Sequence, residues 1–566
     1  MKKLIAEHRV SLLLLLSLLF IQSFFVDLNN PYQKPIAGDA KGYYAYLPAI
    51  FIYHDLEYNF VADIEAKYYV PGLEKSFVKK INGQKVNKTF PGLAILYLPF
   101  FLIAHLISLV FSLPADGYSY TYQLFHLIGF WTYFFLGLVF LKKVLRAFNF
   151  PSFHINWSIV ALVLGTNILF YGVFDSSVTH MYNFFLVNAA VYLFIQFKEK
   201  ISRPKLLVFF ILLCLIGITR PTNALIFAFL PIFVTNKQPY LSVFKESIRL
   251  KNVFIIFIAS TLILCIPLIL WKLQSGNWLV YSYGEEGFNF SQPEIINFLF
   301  SYTKGWFLYT PLALIILLFG WPLLVKSDKK RALFSIAFLL FAIYLFSSWW
   351  CWYYGAGMSQ RVMIDYYLLL AFFFVFVLEK IKIKFLKVSF LVLTSFATLF
   401  NIAQTYQVGT GIIPFGSATK QLYWDNFLVF EKRARVYPQT SWKLLDKQEN
   451  KDSKLSVSEN SEYSPILQVT TKKITKGSKL IFSFDATAST KLEETRIVVN
   501  LTSGESAVYF LEAYSKINQT VKMEFLFEPQ LDTSDSIELF LWNAGKAEAV
   551  EIKNITVAHY FSDAYF

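Results

Sequence analysis

Two patterns divide the chain. Up to about residue 402, long apolar runs alternate with short basic loops; over the last stretch, short segments alternate strictly between apolar and polar residues. A helix needs roughly 20 apolar residues to cross the hydrocarbon core of a bilayer. On that measure spans are expected at residues 10–28, 118–140, 155–174, 181–197, 205–219, 223–236, 252–271, 308–325, 332–347, 364–379 and 386–402, about eleven in all. The first run, MKKLIAEHRVSLLLLLSLLFIQSFFVDL, has the charged start and apolar centre of a secretory signal. It lacks a small-x-small cleavage site and reads as an uncleaved first span.

Charge fixes the expected orientation, because Lys and Arg concentrate in short loops on the cytoplasmic side. Segments 1–9, 141–154, 198–205, 237–251, 326–331 and 379–387 hold 22 Lys and Arg against 5 Asp and Glu, an excess larger than the whole formal charge of +14. The N-terminus is then cytoplasmic. The basic excess is a topology signal, and no nucleic-acid partner is expected. One run resists the scheme: PGLAILYLPFFLIAHLISLVF, residues 91–111, is long enough to span. Letting it span would invert every basic loop downstream. It is therefore expected to lie in or dip into the outer interface, and Pro91 and Pro99 suit a broken or re-entrant helix.

Beyond residue 402 the pattern changes. Residues 403–464 include a polar, charged stretch that reads as a linker or irregular segment. Within 465–566, LIFSFDA, TRIVVNLT, AVYFLEAY, VKMEFLFEP, SIELFLWN and VEIKNITVAHY alternate over strand length between Gly, Ser, Asp and Pro turns. That predicts an antiparallel sandwich, jelly-roll-like, and an odd number of spans puts it outside. The expected fold is a polytopic α-helical membrane domain (residues 1–402, with an outer loop at 29–117) followed by this sandwich.

Composition agrees: the 566 residues are 56% hydrophobic, 19% aromatic and 16% charged, where soluble chains average about 25% charged. The three cysteines make no disulfide framework, and Cys214 and Cys265 sit inside apolar runs as small hydrophobes.

With this topology Asp39, Asp55, Asp175, His180, Arg220, Glu285, Glu286, Lys304, Arg361 and Asp365 all fall at outer span ends or in outer loops. For each alone, a solvated or snorkelling charge is an equal reading. Arg220, in the tight hairpin GITRPTN, is harder to dismiss, since a cation between two apolar runs needs an anionic partner. Arg361 and Asp365 are four apart and either pair along one helix face or serve a site. None of these residues forms a metal-ligand cluster at diagnostic spacing, so neither a metal nor a cofactor is expected.

Six stretches in order, GDAKGYYAYLPAIFIYHDL, FPGLAILYLPF, DSSVTHMYNFFLVNAAVYLF, TRPTN, YTKGWFLYTPLALI and WWCWYYGAGMSQRVMIDYYLLL, together resemble the integral-membrane glycosyltransferases of the GT-C superfamily. The likeness is to the bacterial branch related to protein O-mannosyltransferases and the lipid A aminoarabinose transferase. It covers roughly residues 1–402. FPGLAILYLP stands where relatives often show two adjacent prolines.

The resemblance implies a polyprenyl-phosphate-linked sugar as donor and inversion at the anomeric carbon. It also implies a bacterial inner-membrane location with the active site facing the periplasm. Asp39 matches the family's acidic residue in the first outer loop, the expected general base; otherwise it caps the following helix. Gly38 and Gly42 would keep its turn flexible, the tyrosines that follow would lie at headgroup depth, and Tyr43, Tyr44 and Asp365 are expected to bind sugar or acceptor or to assist the base. Arg220 and Arg361, with Lys304 third, are expected at the leaving phosphate. His180 either donates to phosphate or sugar or is a satisfied span end. Glu285 and Glu286 either assist the base, bind sugar hydroxyls or a metal, or are solvated. WWCWYY either stacks on sugar or belongs to the interfacial aromatic belt. The acceptor, whether glycan, lipid or protein, is not specified, and the sandwich would hold acceptor glycan or cap the cavity.

Two rivals come from other classes. A transporter or flippase of lipid-linked sugars would want similar edge residues, but the chain shows no clear internal repeat. A non-catalytic membrane scaffold gives no reason for Arg220 in its hairpin.

Overall fold

The protein is described here from a computed structural model. It covers residues 7–30, 34–69, 77–81, 83–176, 178–199, 201–284, 286–414, 418–431, 443–450, 452–458, 460–474, 478–490, 492, 495–501, 506–511, 517–528, 536–543 and 548–561. The chain forms two compact units: Met1–Gly409 with Pro414–Ala418, and Thr410–Ile413 with Thr419–Phe566.

The first unit is helical. In chain order its helices are α1 (Arg9–Gln22), α2 (Asp39–Phe51), α3 (Val61–Tyr68), α4 (Gly92–Val110), α5 (Tyr120–Arg146), α6 (Ser152–Gly165), α7 (Ile168–Val173), α8 (His180–Gln196) and α9 (Arg203–Thr219). There follow α10 (Ile226–Phe233), α11 (Gln238–Ser247), α12 (Leu250–Ser275), α13 (Ile295–Phe300), α14 (Trp306–Tyr309), α15 (Pro311–Ser327), α16 (Lys329–Ser347), α17 (Leu368–Lys380) and α18 (Lys384–Gly409). Two 3₁₀ turns, Pro221–Leu225 and Arg361–Tyr366, lead into α10 and α17, and a small hairpin, β1 (Val78–Ile81) with β2 (Gln84–Asn87), precedes α4. Among the described residues α4, α5, α12, α16 and α18 are long and apolar enough to cross a membrane. Other expected spans are occupied by shorter or interrupted helices. Residues 155–174, for example, break at Thr166, whose extended backbone separates α6 from α7.

The bundle has two chemically different ends. At one, the basic loops meet: Arg146 pairs with Glu7, Lys142 Nζ donates to Glu7 O and to Asn156 Oδ1, His154 contacts Glu379, and Arg331 lies over the rings of Phe148 and Phe372. At the other end the start of α8, the end of α9, the end of α16 and the Arg361 turn surround a cavity.

The run at 91–111 differs from expectation. It is not broken: α4 is one continuous helix that starts after Pro91 and passes through Pro99. Its register places it along the half of α5 remote from Lys142. Tyr133 Oη donates to Leu96 O (3.0 Å), the Phe100 ring fits against Gly129, and His105 Nδ1 is 2.6 Å from Tyr122 Oη. Pro99 still removes one backbone hydrogen bond from the helix, and the contacts along α5 offset that cost. The start of α4 is wedged against α9. A Cβ on Gly92 would lie 2.5 Å from Thr219 N and 2.6 Å from Ile218 C. Those are backbone atoms and cannot swing aside. Gly92→Ala is therefore expected to destabilise the fold by about 1–3 kcal/mol, read by thermal unfolding in detergent, and to push the segment before Arg220 out of place.

The tyrosines of α2 are also placed differently. They are buried within the protein rather than presented to lipid headgroups: Tyr44 Oη donates to Gly117 O and Tyr46 Oη to Thr89 O, each at 2.7 Å. Both of these phenols find a backbone carbonyl, which makes their burial tolerable. Gly42 serves close packing rather than flexibility, since a Cβ there would meet Thr89 Cγ2 at 2.7 Å and Phe77 Cβ at 2.9 Å.

The second unit holds two antiparallel sheets. One has the order β5 (Leu467–Thr470), β10 (Ser536–Asn543), β7 (Thr495–Leu501), β8 (Ser506–Phe510). The other runs β3 (Lys443–Asn450), β11 (Val550–Phe561), β6 (Ser478–Ala488), β9 (Thr520–Phe527), with β4 (Leu455–Val457) also on β11. Inward residues of both sheets, such as Phe482, Phe484, Ile497, Val499, Leu539, Leu541 and Ile552, form one apolar core. The segment expected as linker contributes β3 and β4 to this unit. Its charges had masked the strands: KLLDKQEN lies at a sheet edge, where charged residues discourage further pairing.

Candidate active site

The cavity measures about 430 Å³ and is lined from six places in the chain. These are the start of α2 (Asp39, Tyr43), the segment before α4 (Lys88–Phe90), the start of α8 (Val178–His180), the end of α9 and its 3₁₀ turn (Thr219–Thr222), the loop after α12 (Val280–Tyr283, Glu286, Phe288) and the segment after α16 (Trp349, Trp350, Cys351, Tyr354, Arg361).

Asp39 is the first residue of α2. Gly38 before it has φ of +51°, a left-handed conformation that costs glycine little. The carboxylate does not cap the helix. It turns into the cavity, 54% exposed, and its Oδ2 accepts from Arg361 Nη2 at 2.5 Å. The guanidinium beside it holds the Asp39 carboxyl below the usual carboxylate range. Tyr43, one turn on, lines the same wall. Burial, reinforced by the Asp39 charge, pushes its phenol up to about 12, so it remains a hydroxyl donor at physiological pH.

Arg361 and Asp365 do not pair with each other. They lie on a 3₁₀ turn, where three residues per turn rotate position i+4 a third of the way round. Arg361 goes to Asp39, and Asp365, 1% exposed, goes beneath the cavity to His180. There Asp365 Oδ1 is 2.8 Å from His180 Nδ1 and its Oδ2 accepts from Asn223 Nδ2 at 2.7 Å. A carboxylate only accepts, so the imidazole proton sits on Nδ1 and Nε2 is left as an acceptor. Arg220 Nη1 donates to that Nε2 at 2.7 Å. Asp365, His180 and Arg220 thus form a chain that aims a guanidinium at the cavity, with the Tyr354 ring 5.8 Å from its carbon.

A second ion pair also belongs to the lining. Glu286 Oε1 is 2.7 Å from Lys88 Nζ and 3.7 Å from Lys79 Nζ. Around it stand Tyr283, Phe288, Trp349 and Trp350, so part of WWCWYY faces the cavity. The charged side chains of the lining are therefore Asp39 and Glu286 against Lys88, Arg220 and Arg361, a net positive wall suited to an anion.

Other expected residues lie elsewhere. Tyr44 packs away from the cavity among Tyr97, Phe101, Tyr118 and His126. Lys304 is fully buried and does not line the cavity; among the described residues its ammonium has no hydrogen-bond partner, and burial pulls its pKa well below the ordinary value. Asp55 accepts from the amides of Glu57 and Asn59 in a local turn. Glu285 lies outside the described residues. Lys88 was missed: it stands just ahead of the TFPG stretch among Lys79, Lys80 and Lys85, with nothing in its neighbours to distinguish it. Among the described residues no three His, Cys, Asp or Glu side chains are grouped as metal ligands.

No family model matches the chain, and no curated protein matches it. Among solved structures it is similar to the cryo-EM structure of the arabinosyltransferase EmbB from Mycobacterium smegmatis, with 8% sequence identity and a TM-score of 0.31 over 84% of this chain. The chain spans 60% of the length of that structure. A likeness of this size fixes neither fold nor activity.

Proposed function

We propose that this chain is a membrane glycosyltransferase that moves a sugar from a polyprenyl-phosphate donor to an acceptor hydroxyl. One observation carries the reading. Asp39, Arg220 and Arg361, far apart in sequence, share one cavity at the end of the bundle opposite the basic loops. By the positive-inside rule that end faces the periplasm of a bacterial inner membrane.

The chemistry needs a base at the nucleophile and cations at the leaving group. The acceptor oxygen attacks the anomeric carbon and its proton passes to Asp39. The bond from the anomeric carbon to the phosphate oxygen breaks, and its electron pair stays on the phosphate. Arg220 and Arg361 meet that charge, Arg220 held in place by His180 and Asp365. Lys304, walled off from the cavity, is left out of this set. Glu286 and Lys88, flanked by aromatic rings, offer an acceptor and a donor to sugar hydroxyls.

The test is to give the purified protein polyprenyl-phosphate hexoses and pentoses with an envelope glycan extract as acceptor, and to measure free polyprenyl phosphate. Release that depends on the acceptor is expected for at least one donor. Donor binding or movement across vesicles without release would instead identify a transporter.

A further inference from the structure

The group proposed as base is occupied. Arg361 is 14% exposed and its one hydrogen bond among the described residues is to Asp39; its Nε is buried without a partner there. The other two cations of the lining are held differently. Lys88 is committed to Glu286, and Arg220 rests on a neutral imidazole, which leaves its charge available. So the cavity presents one fixed anion anchor, Arg220, and one guanidinium whose only hydrogen-bond partner among the described residues is the carboxylate that must accept a proton.

We propose that the donor's phosphate draws Arg361 off Asp39, so that donor binding is what releases the base and must precede the acceptor. This rests on the glycosyltransferase reading above. A phosphodiester beside Arg220 offers Arg361 a second anion, one whose oxygens match the guanidinium fork and also reach the unpartnered Nε. Without the donor, an acceptor hydroxyl would face a carboxylate already bound at 2.5 Å to a guanidinium. A base held that way is a weak proton acceptor. With the donor in place, Asp39 loses its cation and gains an anionic neighbour, and both changes raise its proton affinity. The remaining charges facing Asp39 are Lys88, from the segment before α4, and Arg220, from the end of α9, with the Tyr43 hydroxyl on its own helix. Neither cation is hydrogen-bonded to it.

Carbodiimide labelling reads this directly, because only a protonated carboxyl reacts. Full-length protein in detergent is treated at mildly acidic pH with and without polyprenyl monophosphate, and modification of Asp39 is measured by peptide mass spectrometry against Asp55. Lipid binding is followed separately by quenching of tryptophan fluorescence, with Trp349 and Trp350 in the cavity wall. Asp39 labelling is expected to rise about three- to tenfold when the lipid binds, the change produced by roughly half to one unit of proton affinity. In Arg361→Gln it should already be high before lipid is added and should rise less on binding than in the wild type. The wild-type arm decides even if that variant fails to fold. Lipid that binds but leaves Asp39 labelling unchanged or lowered overturns the release and leaves the transferase reading standing. Lipid that does not bind at all overturns both.

Discussion

Asp39→Asn is expected to lower turnover by about 10²- to 10⁴-fold, the range by which a positioned general base accelerates proton transfer. The amide matches the carboxylate in shape, and its oxygen can still accept from Arg361 Nη2, so the wall of the cavity should keep its form. What disappears is the capacity to take a proton from the acceptor. Donor affinity is expected to hold or to tighten slightly, because Arg361 no longer has a competing carboxylate. Stability should change little, because the Asp39 side chain is half exposed and the amide oxygen keeps the hydrogen bond from Arg361. Release of polyprenyl phosphate gives the rate, and fluorescence quenching gives donor binding. Turnover within threefold of wild type would remove Asp39 from the chemistry and leave it as a structural partner of Arg361.

The parts of this arrangement differ in how far the sequence discloses them. Apolar runs and loop charge report the burial and sidedness of whole segments, so the helical unit and the gathering of basic loops at one end follow from composition alone. Arg220 and Arg361 stood out because a cation between apolar runs needs an anionic partner, and Asp39 because it matches the acidic residue that the resemblance implies. Their meeting in one cavity is a matter of tertiary packing, which no local pattern encodes.

The departures have the same origin. The tyrosines of α2 look like headgroup residues in sequence, yet Tyr44 packs against α4 and bonds to Gly117 and Tyr46 bonds to Thr89, so these two are interior. Asp365 and His180 look like span-end residues, and only the fold shows that one lies beneath the other. Lys88 carries no local mark at all. It becomes part of the site because Glu286, almost two hundred residues away, is folded onto it.

The buried chain under Arg220 gives the second large effect. Asp365→Ala is expected to raise the KM for the donor by about 10²-fold, to lower kcat as well because Arg220 also meets the charge on the leaving phosphate, and to destabilise the protein by about 3–5 kcal/mol. Asp365 touches no reacting atom; it acts through His180. Removing it leaves the Nδ1–H of His180 and the amide of Asn223 without acceptors in a site that is 1% exposed or less, which is the costly kind of loss. It also frees the imidazole to exchange its proton to Nε2. An Nε2–H would then point at Arg220 Nη1, donor against donor, and turn the guanidinium away from the phosphate. Asp365→Asn separates geometry from packing. Its oxygen can accept from His180 while its amide donates to Asn223, provided that side chain flips and gives its own amide to Tyr366 Oη, now an acceptor where it was a donor at 3.2 Å. The tautomer survives, only the charge beneath Arg220 is lost, and the donor KM should return to within about tenfold of wild type. A kcat collapse at unchanged KM in Asp365→Ala would instead place His180 in the chemical step, with Arg220 positioned by something else.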